Sequence, residues 1–335
     1  MINAGLVATL PTSTDAVPYV VNHRLLQRGD TAVRVRDLRS GVETRFPAPW
    51  PRDFGTLTLS PDGDVMVFAG VHALRAVDTT GAVRWELRHG CWSAAECAED
   101  HTSYSEYADD HYHSHADKGS VAYAADGKTL WAHIRNRPGA EAEEEWLVLD
   151  PADATVLARY ATGTIGSSFH TPHPDPAYMG LTVGEGDEDS PAFWGHWDGE
   201  NLSVHRLDEE VLLAASPSGD RLLATDPGQW SLYLRSTADA TELGRLDADD
   251  AVPSLDGDRV CWDYEAAFPF DDTAVVGTEG DYPEPRHWCL DPTTMSVRAQ
   301  VAYPFPIAGP PRPAGPGQWL TSSADGTALH VWTLA

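Results

Sequence analysis

The stretch Trp319–Ala335, WLTSSADGTALHVWTLA, alternates apolar and polar residues on both sides of a Ser-Ala-Asp-Gly turn. A period of two marks a half-buried strand, and Asp-Gly between two such runs marks a tight hairpin. Short runs of the same kind, such as LTLS, DVMVFAG, ALRAVD and VRWEL, recur upstream, and helical periodicity is nearly absent. The expectation is an all-β chain of short antiparallel strands.

The punctuation between strands also repeats, which points to a repeat architecture. One turn reads SPDG at 60–63, AADG at 124–127, HPDP at 173–176 and SPSG at 216–219. A second follows an apolar strand: RDLRSGVET from Arg36, VDTTGAV from Val77, LDPADATV from Leu149, WDGENLSV from Trp197 and LDPTTMSV from Leu290. Taken in order, the two turns bracket four strands per unit of about 40 to 50 residues.

This pattern resembles the WD40-like (WD40/YVTN-type) β-propellers, whose unit reads apolar strand, S-P-D-G, strand, D-G, strand ending in W-D, last strand. Asp325 and Gly326 stand at the tight turn and Trp332 at the Trp position, while the Trp-Asp pair itself occurs at Trp197 and Asp198. No unit shows a clean Gly-His pair before its first strand. The resemblance implies one domain over 1–335, an all-β, seven-bladed β-propeller of four-stranded antiparallel blades. Its blades fall at about 17–48, 54–90, 119–162, 166–206, 209–247, 258–303 and 317–335. The last unit is expected to run out after three strands, and residues 4–10, in GLVATL, to supply the fourth and close the ring.

Both repeated turns belong, by the same resemblance, to one face, and the long insertions to the other. The longest insertion is 91–118, followed by NRPGAEAEEEW, GEGDEDSP, DADDAVPSLDGD, GTEGDYPEPR and the Pro-rich YPFPIAGPPRPAGPG. Binding residues concentrate on loops held by a rigid scaffold, so the elaborated face is the place to look. Its candidate contact residues are Trp92, Tyr104, Tyr107, Glu143, Glu144, Glu145, Asp187, Glu188 and Asp189. A run of charges is also what any solvated loop of an acidic protein shows.

Composition narrows the partners. With 42% hydrophobic residues the 335-residue chain can bury a sizeable core. Its 51 acidic against 23 basic side chains leave a net charge of -28, which opposes nucleic acid and anionic membrane surfaces and favours a cation or a basic protein or peptide. Only Lys118 and Lys128 are lysines, and the Arg, Ala and Asp bias points to a GC-rich bacterial coding sequence. The N-terminus lacks a basic and an apolar signal region and no run approaches the roughly 18 apolar residues of a span, so a soluble, cytoplasmic protein is expected. Cys91, Cys97, Cys261 and Cys289 are then reduced thiols.

The segment DDHYHSHADKG, Asp109–Gly119, carries three alternating histidines. If extended, His111, His113 and His115 point to one side about 6.6 Å apart, close enough to converge on a metal with Asp109 or Asp110. Zinc or another divalent cation suits such ligands. His89, His101, Cys91 and Cys97 lie in the same stretch, although five residues separate the two cysteines, wider than the usual zinc knuckle. The resemblance offers another account, in which His115 takes the place of the Gly-His histidine. His170 and His173 have a ligand-like spacing, but His173 falls at the serine of an S-P-D-G turn, which suits capping.

No G-x-S-x-G elbow, phosphate loop, H-E-x-x-H helix or calcium loop occurs. Asp53, Asp117, Glu209, Glu210 and Asp263 are carboxylates whose convergence the sequence does not decide. Two functions remain open: a scaffold that holds a protein or peptide on its acidic, loop-rich face, or a metal-dependent or carboxylate hydrolase or lyase at the channel mouth.

Overall fold

Two local devices cut this chain into strands. In the first, the amide of a glycine donates to the carbonyl three residues back, from Gly63 to Ser60, Gly127 to Ala124, Gly219 to Ser216 and Gly326 to Ser323, each at 2.9 Å. These glycines have φ of 88°, 72°, 83° and 70°, a left-handed conformation that costs glycine nothing. The serine hydroxyl then accepts from the amide that opens the next strand, Val65 at 3.1 Å, Arg221 at 3.1 Å and Ala328 at 2.9 Å. In 173–176 an imidazole replaces the hydroxyl: His173 Nδ1 accepts from the Asp175 amide at 3.1 Å.

The second device is a carboxylate accepting from the amide two residues on. Asp37, Asp78, Asp150, Asp198 and Asp291 do so, from Arg39, Thr80, Ala152, Glu200 and Thr293, at 2.8–2.9 Å. An Asp side chain mimics a backbone turn in this way. The two devices alternate, so each pair of turns folds four strands into one sheet.

The computed structural model describes residues 1–13, 17–93, 97–186, 190–254, 259–279 and 285–335. Five four-stranded sheets follow one another in chain order. They comprise Val17–Val21, Arg24–Arg28, Ala32–Asp37 and Glu43–Pro47; Gly55–Leu59, Val65–Gly70, Ala73–Asp78 and Val83–Arg88; and Val121–Tyr123, Leu130–Arg135, Glu144–Leu149 and Val156–Ala161. Ser167–Pro172, Tyr178–Gly184, Ala192–Trp197 and Leu202–Leu207 make the fourth, and Val211–Ala215, Arg221–Thr225, Ser231–Ser236 and Glu242–Asp247 the fifth. An eight-stranded sheet runs in the order Cys261–Phe270, Thr273–Glu279, Arg286–Asp291, Ser296–Ala302, Ile2–Pro11, Ala328–Leu334, Gln318–Ser323, Ile307–Gly315. This is an all-β propeller fold.

The chain divides into two compact units, Met1–Leu25 with Glu209–Ala335, and Leu26–Asp208. One point differs from the sequence expectation. The Pro-rich stretch expected as a loop is the strand Ile307–Gly315, so the C-terminal group has three strands of its own before Ile2–Pro11 pairs with Ala328–Leu334. Prolines 310, 311 and 313 are tolerated because the strand is the edge of its sheet, where a missing N–H breaks no ladder, and the register slips between Ala308 and Arg312.

Each unit has its own core. In Leu26–Asp208, Trp131 and Trp146 pack at 4.8 Å among Met179, Leu181, Val183 and Phe193. In the other unit, Trp319 and Trp332 pack with Val275, Cys289 and Ile307. Three of the buried indoles donate their N–H within the core, Trp332 to Thr321 Oγ1 at 2.9 Å, Trp288 to Thr278 Oγ1 at 3.2 Å and Trp146 to His170 Nε2 at 2.9 Å, whereas those of Trp50, Trp92 and Trp131 are buried without an acceptor among the described residues. All four cysteines are free thiols.

Two predictions follow from the packing. Trp332→Ala should lower unfolding free energy by about 3–5 kcal/mol in urea titration, because the fully buried ring leaves a cavity. Val83→Ala, on an exposed outer-strand position, should stay within about 0.5 kcal/mol. Burial holds the His170 imidazole down at about 3 and that of His287 at about 4. An unfolded chain binds protons at these positions below about pH 6.5 while the folded chain does not, so stability is complete above that pH and falls as pH drops toward 4. Urea midpoints should therefore decline steadily from about pH 7 to about pH 5, and a flat profile would contradict this.

Candidate metal centre

The insertion 91–118 begins on a fixed base. The amide of His89 donates to His72 O at 2.9 Å, that of Gly90 to Arg135 O at 2.8 Å and that of Trp92 to Val71 O at 3.0 Å. A Cβ at position 90 would collide with the carbonyl of Asn136, so only glycine allows this approach. Trp92 is buried, its ring 5.5 Å from that of His133 and 6.4 Å from that of His89. Cys91, between Gly90 and Trp92, is therefore held firmly and is itself buried.

Beyond it the chain makes two short helical turns. Ser103 caps the first, Tyr104–Glu106, by accepting from the Ser105 amide. Asp110 caps the second, His111–Ser114, with Oδ1 accepting from the Tyr112 amide at 2.9 Å. The cap overturns the extended reading of 111–115. Residues four apart share a side of a helix, so His111 and His115 lie together with ring centroids 4.1 Å apart, both exposed, and His113 turns inward alone. Asp109 is exposed as well.

The residues that do converge are Cys91, Cys97, His101 and His113, whose donor atoms all lie within 4.8 Å of one another. His101 Nε2 is 3.3 Å from Cys97 Sγ and 3.2 Å from His113 Nε2. Each imidazole turns its other nitrogen to a carboxylate, His101 Nδ1 to Glu106 Oε2 at 3.3 Å and His113 Nδ1 to Asp110 Oδ2 at 2.8 Å. Tyr107 stacks on His113 at 4.9 Å and meets His101 edge-on, and its hydroxyl bonds His72 Nδ1 at 2.7 Å. From 97 to 118, only His101, Tyr107 and His113 are buried.

The electrostatics suit a cationic guest. Burial pushes the Cys91 thiol up to about 12, so without a cation it is a neutral thiol. Glu106 is held below the usual carboxylate range first by the Thr102 hydroxyl, and Asp110 first by the Tyr112 amide. Of the ligands expected from sequence, His113 alone is in the cluster. Asp110 stands behind it, and Asp109, His111 and His115 lie outside.

The binding-face candidates scatter. Trp92 and Tyr107 are buried and Tyr104 is half-buried against Phe54, so these three do not make an exposed aromatic patch. Glu143 is exposed and Glu145 pairs with Arg159 at 3.2 Å. Glu144 is fully buried, accepting from Thr164 Oγ1 at 3.0 Å and the Gly166 amide at 3.1 Å beside His133 and Arg135. Asp187, Glu188 and Asp189 lie outside the described residues. Glu210 is bound by Arg235, Nε to Oε2 at 2.7 Å. Glu144→Ala should cost about 3–5 kcal/mol in equilibrium unfolding, since it leaves the buried Thr164 hydroxyl and Gly166 amide without their acceptor and removes the partner of Arg135. Glu143→Ala, one residue away, should cost less than about 0.5 kcal/mol.

The signal missed in sequence was a pairing of each histidine with its own acid, His101 with Glu106 and Asp110 with His113 three residues on. A carboxylate on the far nitrogen is the common partner of a metal-binding histidine, and among the described residues His115 bonds instead to Ser114 Oγ and the His111 carbonyl.

No family model matches the chain, and no curated protein matches it. Among solved structures, "Crystal Structure of Mitotic Checkpoint Complex" aligns with a TM-score of 0.61 at 10% identity, covering 100% of this chain and 93% of that one. The Myceliophteria_thermophila Cps50 (Swd1) β-propeller domain aligns with a TM-score of 0.58 at 10% identity, covering 99% and 100%. At this identity the likeness shows the fold alone, that of a β-propeller.

Proposed function

We propose that this WD40-type β-propeller is a cytoplasmic scaffold that holds a basic protein or peptide segment. In this reading the sheets count as seven blades. The eight-stranded sheet splits where Ile2 and Asn3 meet Val301 and Ala302 in a two-residue parallel pairing, and Ile2–Pro11 completes the last blade as the closing strand. Four free cysteines suit a reducing compartment, and no helix among the described residues is long and apolar enough to cross a membrane.

One observation carries the reading. Within Leu26–Asp208 the short turns lie at one end of each sheet and the long connections at the other. Exposed Asp53, Glu99, Asp100, Asp109, Asp117, Glu141 and Glu143 belong to the long connections, and Asp30 lies in the short connection at that same end. Arg52, Arg137 and Arg135 offset Asp30, Asp100 and Glu143, at 3.5, 3.4 and 3.5 Å. A surplus of one sign on loops steers partners of the other. That one similar structure is of a mitotic checkpoint complex agrees with assembly as a use of this fold. With Trp92 and Tyr107 buried, charge rather than an aromatic anchor would do the recognising.

The hydrolase or lyase reading draws no support from the Cys-His cluster, since four protein donors fill a tetrahedral ion and leave no position for substrate.

The test is binding to an immobilised array of Arg- and Lys-rich peptides against neutral ones. Asp53→Asn, Asp100→Asn, Asp109→Asn and Glu141→Gln together should abolish retention. Asp126→Asn with Glu200→Gln, on the short turns, should not. Retention should weaken with added salt, because exposed charges are screened beyond about 8 Å at physiological ionic strength. Equal retention of neutral and basic peptides would remove the proposal.

A further inference from the structure

We propose that Cys91, Cys97, His101 and His113 form a closed, structural Cys2His2 zinc site that pins the 91–118 insertion to its sheets. This does not rest on the scaffold reading, and either can fail alone.

Two of the donor pairs already stand at coordination distances, and all four donors lie within 4.8 Å of one another. Bonds of about 2.0 Å to nitrogen and about 2.3 Å to sulfur place tetrahedral neighbours about 3.3 Å apart for two nitrogens and about 3.5 Å for sulfur and nitrogen. The pairs here stand at 3.2 Å, His101 Nε2 to His113 Nε2, and 3.3 Å, Cys97 Sγ to His101 Nε2. Proton bookkeeping points the same way. Glu106 and Asp110 each call for an N–H on the Nδ1 they face, which leaves both Nε2 atoms as bare lone pairs aimed at each other. Two lone pairs at that distance call for a proton or a metal ion between them, and the two sulfurs gathered within 4.8 Å favour the metal.

The donor set selects the ion. Magnesium and calcium take oxygen ligands, and a Cys2His2 iron–sulfur cluster holds its sulfurs and imidazoles on different irons, farther apart than the 3.3 Å between Cys97 Sγ and His101 Nε2. Two sulfurs and two imidazoles in tetrahedral reach suit zinc. On binding, the thiols of Cys91 and Cys97 each lose a proton to solvent and form Zn–S bonds, and both imidazoles bind through Nε2 as neutral rings. Nothing is oxidised. The four ligands come from three parts of the insertion: its stapled start, the segment before Ser103 and the helix after Asp110. One ion therefore joins all three.

The experiment uses the full untagged chain. Zinc is measured by plasma mass spectrometry, and metal-free protein is titrated with cobalt(II), whose tetrahedral thiolate complexes have intense visible and charge-transfer absorption. The expected result is about one zinc per chain, with a tetrahedral cobalt spectrum that Cys97→Ser or His101→Ala removes and that the double variant His111→Ala, His115→Ala retains. Because a ligand variant can fail to fold, Glu106→Gln and Asp110→Asn are titrated too. Each should weaken zinc binding about 10- to 100-fold while the fold persists, since only the far nitrogen's partner changes. Chelation should open 91–118 to limited proteolysis before the sheets. A spectrum lost with His111 and His115, an octahedral cobalt spectrum, unchanged affinity in both carboxylate variants, or a Cys91–Cys97 disulfide with no metal would each overturn the proposal.

Discussion

The antiparallel pairing of Ile2–Pro11 with Ala328–Leu334 is the constraint on which the unit formed by the two chain ends depends. Without it Ala328–Leu334 would present an open edge beside buried Leu329, Val331 and Trp332, a template for association with other chains. The pairing also decides which half of the eight-stranded sheet holds Trp319 and Trp332, whose indoles bond Tyr303 and Thr321. Bringing residues so far apart together carries a closure cost that grows only with the logarithm of loop length. A ladder from Ala4↔Leu334 to Pro11↔Ala328, with a bulge between Leu6 and Ala8, offsets it.

The chain's acidity has two physical roles. Asp37, Asp78, Asp150, Asp198 and Asp291 turn their carboxylates onto backbone amides, and Asp325 is drawn down to about 2, first by the Ser323 hydroxyl. These charges are consumed in shaping turns. The acids of the long connections cap no comparable repeated turn and face solvent. Part of the net charge of -28 is therefore already bound to the backbone of the turns.

The fold was legible because its deciding chemistry is local. A glycine at φ of 70–90° and an Asp two residues before the amide it accepts can be read within a five-residue window. The strand Ile307–Gly315 was not legible, since its prolines are acceptable only on an edge, and edge position is a property of the sheet. The histidine loop failed for a different reason. DDHYHSH fits an alternating strand as well as it fits a helix capped by Asp110, and the choice separates His113 from His111 and His115. Glu144 sits in a run of three glutamates and is the buried one because Glu144–Leu149 is a strand, which sends alternate residues to opposite faces.

The proposed zinc would account for how the insertion is ordered. Its two helical turns span Tyr104–Glu106 and His111–Ser114, far below the length at which a helix sustains itself. From 97 to 118 it buries two imidazoles and one phenol and not a single aliphatic side chain, so burial offers little to set against the chain entropy lost on ordering. Buried imidazoles facing each other would themselves be a liability in an apolar core. With a cation between them the liability becomes the strongest set of bonds in the loop, and Tyr107, laid across both rings and tied to His72, becomes the lid over it. The sheets are held by ladders and turn chemistry, whereas this insertion has the composition of a segment held by coordination.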